Sequence, residues 1–161
     1  METSQFQYAG FWKRFVAHLI DSILIGVASL ILLIPFLAAA GLGAFSIGDS
    51  DLSYDSETAI GFILAMIAGY LLLVLGIAVL SWLYYALMES SGQQGTVGKM
   101  ALGIKVTDMN GNRISFGRAT GRYFAKIISG LTLSIGYIIA GFTQQKQALH
   151  DIIAGCLVIN K

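Results

Sequence analysis

The sequence predicts an all-α membrane protein: a small transmembrane helix bundle that carries a small cytoplasmic β-hairpin. The chain of 161 residues is 56% hydrophobic and only 12% charged, about half of the charged fraction of a soluble domain. The charges are also clustered, and two runs, 22–48 and 58–88, contain no charged residue. Each run exceeds the roughly 20 residues that a helix needs to cross the hydrocarbon core.

The composition also argues against several classes of function. A net charge of +1 gives no basis for a nucleic-acid partner, which a strong basic excess would indicate. The single cysteine, Cys156, excludes an internal disulfide and a multi-cysteine metal site. The chain has no phosphate loop, no nucleophile elbow and no zinc-protease motif. We therefore expect no cofactor, no metal and no enzymatic activity.

A single membrane domain over 1–161 is expected, and its elements follow from the clustering of charge. In order, they are helix one at about 11–40, an external acidic loop at 41–58, helix two at about 59–88, a cytoplasmic loop and hairpin at 89–116, a third helix or re-entrant pair at 117–142, and a carboxyl-terminal segment at 143–161.

The distribution of Lys and Arg predicts the orientation in the membrane. The loop 41–58 holds four acidic residues and no basic one, whereas 89–126 holds six basic residues. Because Lys and Arg concentrate in cytoplasmic loops, the amino terminus and the second loop are predicted to be cytoplasmic.

A β-hairpin is predicted within the cytoplasmic loop. Gly103–Asp108 alternates apolar and polar residues, Asn110-Gly111 follows, and Arg113–Phe116 would be the second strand. Asn-Gly between such runs is a strong hairpin signal, since both residues tolerate positive φ. The β-branched segment Cys156–Asn160 could add a third strand if the carboxyl terminus is also cytoplasmic.

The segment 117–142 leaves two topologies open because about 26 residues are too few for two crossings. One is a re-entrant pair, 117–131 and 134–142, which turns near 133–136; protein must then surround its exposed backbone. The other is a plain third crossing, which places the carboxyl terminus outside. We favour the re-entrant pair.

Polar residues near the start of helix one form the main candidate site. Arg14, His18 and Asp21 follow i, i+4, i+7 spacing and share one helix face. Asp21 lies two turns inside the helix, and a charge in the membrane is costly unless it faces a partner or water.

A second group of polar residues lies at the start of the third helix. Arg118, Arg122 and Lys126 form a basic stripe. Asp21 and Lys126 each lie about nine residues into their helices, roughly 13 Å at 1.5 Å per residue, so they could meet. Glu89, His150 and Asp151 could complete the cluster.

Two interpretations of this cluster stay open. It is either a proton or cation site, in which Asp21 titrates beside His18, Lys126 and Arg122, or a charge clamp between helices. In a clamp, the loss of one partner leaves a costly lone charge.

Three segments together resemble the RDD family of bacterial multi-pass membrane proteins. They are Ala9–Asp21, Thr96–Arg118 and Gln147–Gly155, in the order of the family and over nearly the whole chain. The family is named for one arginine and two aspartates, and the resemblance carries these over to Arg14, Asp21 and Asp151. Val97 replaces a common proline and Cys156 a common threonine, departures that affect only the loop and the last strand.

The resemblance implies a protein of the bacterial inner membrane, and monovalent cation/proton exchange has been suggested for family members. The expected function is transport of small ions or solutes. The alternative is a non-transporting scaffold that binds a cytoplasmic or membrane protein through its cytoplasmic loop. The expected partners are the lipid bilayer and further copies of the chain, because so few helices leave little room for a path within one subunit.

Overall fold

The computed structural model describes residues 6–48, 56–131 and 135–161. The elements are α1 (Phe11–Gly48), α2 (Ser56–Ser90), α3 (Val97–Ala101), β1 (Ile104–Asp108), α4 (Phe116–Leu131), α5 (Ile135–Ile138), a 3₁₀ turn (Ile139–Gly141), α6 (Leu149–Ala154) and β2 (Cys156–Asn160). The predicted fold class is confirmed: long apolar helices accompany a small antiparallel sheet.

Two helices of the described chain are long and apolar enough to cross a membrane, over Phe11–Ser46 and Glu57–Ser90. At 1.5 Å per residue each is about 50 Å long, well beyond a hydrocarbon core of about 30 Å. Residues 41–48, which we assigned to the external loop, are helical. The rest of that loop, 49–55, lies outside the described residues.

The chain divides into two compact units. One, the spanning unit, is Leu24–Leu80, and the other, the sheet unit, combines Met1–Ile23 with Ser81–Lys161. The spanning unit exposes large apolar side chains all along both helices, as a lipid-facing surface requires; they include Val27, Ile31, Ile34, Leu37, Ile60, Ile63, Leu64, Leu71 and Leu75.

Within the spanning unit, glycines allow aromatic rings to pack against the opposite helix. A Cβ placed on Gly69 would lie 2.9 Å from Phe36 Cε2, and one on Gly43 would lie 2.7 Å from Phe62 Cε2. Gly61 has no described atom within 4 Å of such a Cβ. Gly43 and Gly69 therefore mark contacts between the two helices, whereas Gly61 does not.

The sheet unit is built around β1 and β2, which pair antiparallel with Val106 opposite Val158. The amino-terminal segment extends the sheet, because Tyr8 forms a bridge with Ile159. Small and β-branched residues fill the core: Ala9, Ala17, Ala86, Ile104, Val106, Ile114, Ala119, Cys156 and Val158.

This sheet bears on the predicted topology. Tyr8, β1 and β2 belong to one hydrogen-bonded structure, which agrees better with a re-entrant pair than with a plain third crossing between β1 and β2. Residues 132–134 of the predicted turn lie outside the described part of the chain.

The second strand of the sheet is not the predicted one. The turn forms at Asn110-Gly111, where Gly111 has φ 85° and the Asp108 carboxylate accepts from the Asn110 and Asn112 amides. Beyond it, however, Gln94 occupies the same edge of β1: Val106 N donates to Gln94 O at 2.6 Å. Residues 113–115 lead into α4 instead, and Cys156–Asn160, predicted as a third strand, is the partner of β1.

Candidate functional site: a buried charge network beside a cavity

Asp21 is buried in the sheet unit, with 1% of its surface exposed. Its Oδ1 accepts hydrogen bonds from Tyr84 Oη at 2.9 Å and Gly98 N at 2.8 Å, and its Oδ2 accepts one from Thr96 Oγ1 at 2.6 Å. All three donors are neutral, and two belong to the segment that opens α3. Asp21 thus fastens α3 to α1 and satisfies its own charge by hydrogen bonding.

Gly98 makes this contact possible. A Cβ at this position would lie 2.1 Å from Ala17 O and 3.0 Å from Asp21 Oδ1. Real Cβ atoms do not approach a backbone oxygen so closely, so any larger residue would push α3 away from α1.

A separate set of ionisable side chains forms the charge network, which brings together α1, α2, α3, α4 and α6. Its members are Arg14, Glu89, Lys99, Arg122, Lys126 and Asp151. Burial strengthens each interaction but also makes an unpaired charge expensive.

Arg122 is the centre of the network and is 2% exposed. Its Nη1 lies 2.6 Å from Glu89 Oε2, while its Nε and Nη2 lie 2.8 Å and 2.7 Å from Asp151 Oδ1. Burial alone would lower the pKa of Arg122, but the two carboxylates raise it above its ordinary value. Its guanidinium therefore stays charged and links α2 to α6 through α4.

Asp151 joins the network to the first turn of α1. Its Oδ2 accepts from Arg14 and from Ala148 N at 3.1 Å. Burial alone would raise the pKa of this carboxyl, but Arg122, with help from Arg14, holds it well below its usual range. Asp151 is therefore ionised at any physiological pH.

The two lysines differ in how they are paired. Lys99 donates to Glu89 Oε1, whereas Lys126 Nζ is 3.8 Å from the same oxygen, beyond hydrogen-bonding distance, and 3.8 Å from the centre of the Tyr85 ring. Burial lowers the pKa of Lys126 to about 7, against the pull of Glu89 and with the added repulsion of Lys99 and Arg122. Lys126 is thus the weakly compensated cation of the network.

Neither histidine is arranged as a charged group. His150 Nδ1 lies 3.3 Å from Ser129 Oγ, and burial lowers its pKa to about 3 despite the neighbouring Asp151. His18 Nδ1 lies 3.4 Å from Tyr85 Oη, and its ring stacks on Tyr137 with centroids 6.4 Å apart. Among the described residues no group of three His, Cys, Asp or Glu could hold a metal ion.

A cavity of about 410 Å³ lies within the sheet unit, beside the charge network. Its lining combines cationic side chains, one carboxylate and apolar or aromatic side chains; they include Arg14, Lys99, Arg122 and Lys126, then Asp21, and Phe11, Phe15, Tyr85, Tyr137 and Ile138. Its volume falls in the range of small-molecule sites, roughly 300–1,000 Å³.

The structure gathers the predicted residues but pairs them differently. Arg14, Glu89, Arg122 and Asp151 meet in the network, and His150 lies beside Asp151. Asp21 does not meet Lys126, because its oxygens face α3.

Sequence reasoning missed the α3 contribution from Thr96, Gly98 and Lys99. Gly98 and Lys99 complete no sequence motif, and their contacts with Asp21 and Glu89 arise only from the packing of α3. Arg118 is exposed, outside the cluster.

The model of the RDD family matches residues 8–155. A Bacillus subtilis (strain 168) relative, "Uncharacterized protein YxaI", is 39% identical over 95% of this chain and 97% of its own length. A second from the same strain, "Uncharacterized membrane protein YteJ", is 31% identical over 96% of this chain and 82% of its own. No solved structure matches significantly.

Proposed function

The chain belongs to the RDD family, and from this premise we propose that it transports a small ion or solute by way of the cavity in the sheet unit. The observation that carries the proposal is the cavity of about 410 Å³ lined by both cationic side chains and aromatic rings. A network that served only to hold helices together would be expected to fill its interior, since protein cores are close-packed.

The three residues for which the family is named, Arg14, Asp21 and Asp151, have a different role from the cavity in this proposal. Arg14 and Asp151 pair with each other, and Asp21 accepts three hydrogen bonds from neutral donors. These residues hold α1 against α3 and α6, as a clamp would. The solute is held instead by side chains that can still donate hydrogen bonds, of which Lys126 is the clearest example.

Monovalent cation/proton exchange has less support from this geometry than transport of another solute. A cation at Asp21 would have to displace the donors from Tyr84, Thr96 and Gly98. It would also enter a space in which cationic side chains predominate, where like charges repel it.

The membrane arrangement is proposed together with the function. Basic residues in the second loop favour an arrangement in which this loop, the amino terminus and the carboxyl terminus lie on the cytoplasmic face of the inner membrane. A homo-oligomer completes the path, because two spanning helices cannot enclose one. Cysteines at Asn112 and Lys161 are expected to resist an impermeant thiol reagent in intact cells. A cysteine at Ser53, outside the described residues, is expected to react, and the reverse pattern would contradict the orientation.

The rival function is a scaffold that binds another protein without transport. The saturated oxygens of Asp21 favour it, since they fit a purely structural role. Flux through the purified protein separates the two functions.

Proteoliposomes test the proposal directly. Wild-type protein is expected to pass Na⁺, K⁺, protons or inorganic phosphate under an imposed pH gradient, and Lys126→Met is expected to reduce that flux. Arg118→Met is the matched control, because it removes a positive charge from an exposed position on the same helix. Wild-type vesicles that stay tight to all four species in several lipid mixtures would favour the scaffold. Selective loss of pH-dependent flux in folded Asp21→Asn would favour cation/proton exchange.

A further inference from the structure

The cavity walls carry more positive than negative charge. With Lys126 protonated, four cations, Arg14, Lys99, Arg122 and Lys126, face two carboxylates in the charge network, an excess of two. Asp21, which also lines the cavity, reduces that excess to one. Cations in a protein interior are normally matched by acids or by a bound anion. A bound anion would balance such an excess.

The carboxylates cannot satisfy the excess, because their oxygens are already used. Glu89 accepts from Lys99 on one oxygen and from Arg122 on the other. Asp151 accepts from Arg122 on one oxygen and from Arg14 and Ala148 N on the other. Lys126 therefore keeps donor capacity towards the cavity.

We propose, on the basis of the proposed function, that the cavity binds an oxyanion of the phosphate class, with Lys126 as its principal contact and an apolar part of the ligand against the aromatic wall. Lysine and arginine side chains bind phosphate oxygens through charge-assisted hydrogen bonds. Phe11, Phe15 and Ile138 supply the apolar wall. The same chemistry is found in a soluble phosphate ester and in the headgroup of an anionic lipid.

Binding of an anion is expected to be coupled to proton uptake. Lys126 is about half protonated at pH 7, because burial lowers its pKa to about 7, and a nearby anion would raise that pKa. Binding at pH 7 should therefore take up as much as roughly half a proton per site. The charged and titratable groups that face Lys126 are Glu89 of α2, Lys99 of α3, Arg122 of α4, Asp151 and His150 of α6, and His18 of α1, with the rings of Tyr85 and Tyr123.

Calorimetry on the full chain in phosphatidylcholine nanodiscs tests the assignment with two probes. Inorganic phosphate represents the soluble source and dihexanoyl phosphatidic acid the lipid source, each titrated at constant ionic strength against KCl. Lys126→Met should weaken binding about tenfold or more, and Arg118→Met less than twofold. Titrations in two buffers with different ionisation enthalpies measure the proton uptake.

The outcomes are distinct. Binding of phosphate supports a soluble ligand, and binding of phosphatidic acid alone supports a lipid headgroup. No binding of either probe, or equal binding by wild type and Lys126→Met, overturns the assignment. Lys126→Met should still fold, because it removes a cation from a site with excess positive charge. Anion binding without any flux would refute the transport function and leave the assignment standing, whereas flux without anion binding would do the opposite.

Discussion

Replacement of Arg122 by methionine is the sharpest test of the charge network. Methionine keeps the length and packing of the side chain but removes every contact of the guanidinium with Glu89 and Asp151. Both carboxylates keep one partner, Lys99 for Glu89 and Arg14 for Asp151. The expected loss is therefore that of one broken buried pair, about 3–5 kcal/mol, rather than twice that amount.

The assay is reversible unfolding in mixed micelles, followed by Trp82 fluorescence in a Trp12→Phe background. Trp82 Nε1 lies 3.3 Å from Thr120 Oγ1, and its ring packs against Phe124 of α4. Its emission should therefore report the release of α4 from α2. Far-UV circular dichroism over the same transition checks that the two signals coincide.

A double-mutant cycle separates the network from simple loss of packing. Glu89→Gln removes a carboxylate that loses one of its cationic partners in Arg122→Met, so the double variant should be less destabilised than the sum of the two single variants by about 1–3 kcal/mol. Arg118→Met on the exposed face of α4 should stay within about 0.5 kcal/mol of wild type. Strict additivity, or an Arg122→Met cost no larger than that of Arg118→Met, would refute the reasoning.

Three further predictions use the same unfolding assay. Gly98→Ala should cost about 3 kcal/mol, because its Cβ would meet Ala17 O at 2.1 Å; Gly117→Ala, with no described atom within 4 Å, is the control. Wild-type stability should fall as pH drops below about 6.5, since the unfolded histidine gains a proton that folded His150, with a pKa of about 3, does not bind; an unchanged slope in His150→Gln would contradict this. Stability should also rise between pH 7 and pH 10, because unfolded Lys126 keeps its proton to higher pH than the folded residue, whose pKa is about 7; Lys126→Met should flatten that rise.

Much of the fold follows from local chemistry. Two charge-free runs of sufficient length predict the spanning helices, and Asn110-Gly111 predicts the turn after β1, because such signals act within a few residues of the chain. The strand partner of β1 could not be read in the same way. Gln94 and Cys156–Asn160 both form hydrogen bonds with β1 and come from outside the predicted hairpin. No local sequence pattern shows which segments will pair with a strand across such separations.

The candidate site shows the same division. The sequence by itself determined that Asp21 would need a partner, because a lone charge two turns inside an apolar helix is too costly to keep. The resemblance to the family added Arg14 and Asp151. Only the tertiary structure decided the partners, turning Asp21 towards α3 and Arg122 towards Glu89 and Asp151. The physical reason is that helix spacing fixes which side chains share a face, whereas the rotation and approach of packed helices, here permitted by Gly98, fix which faces meet.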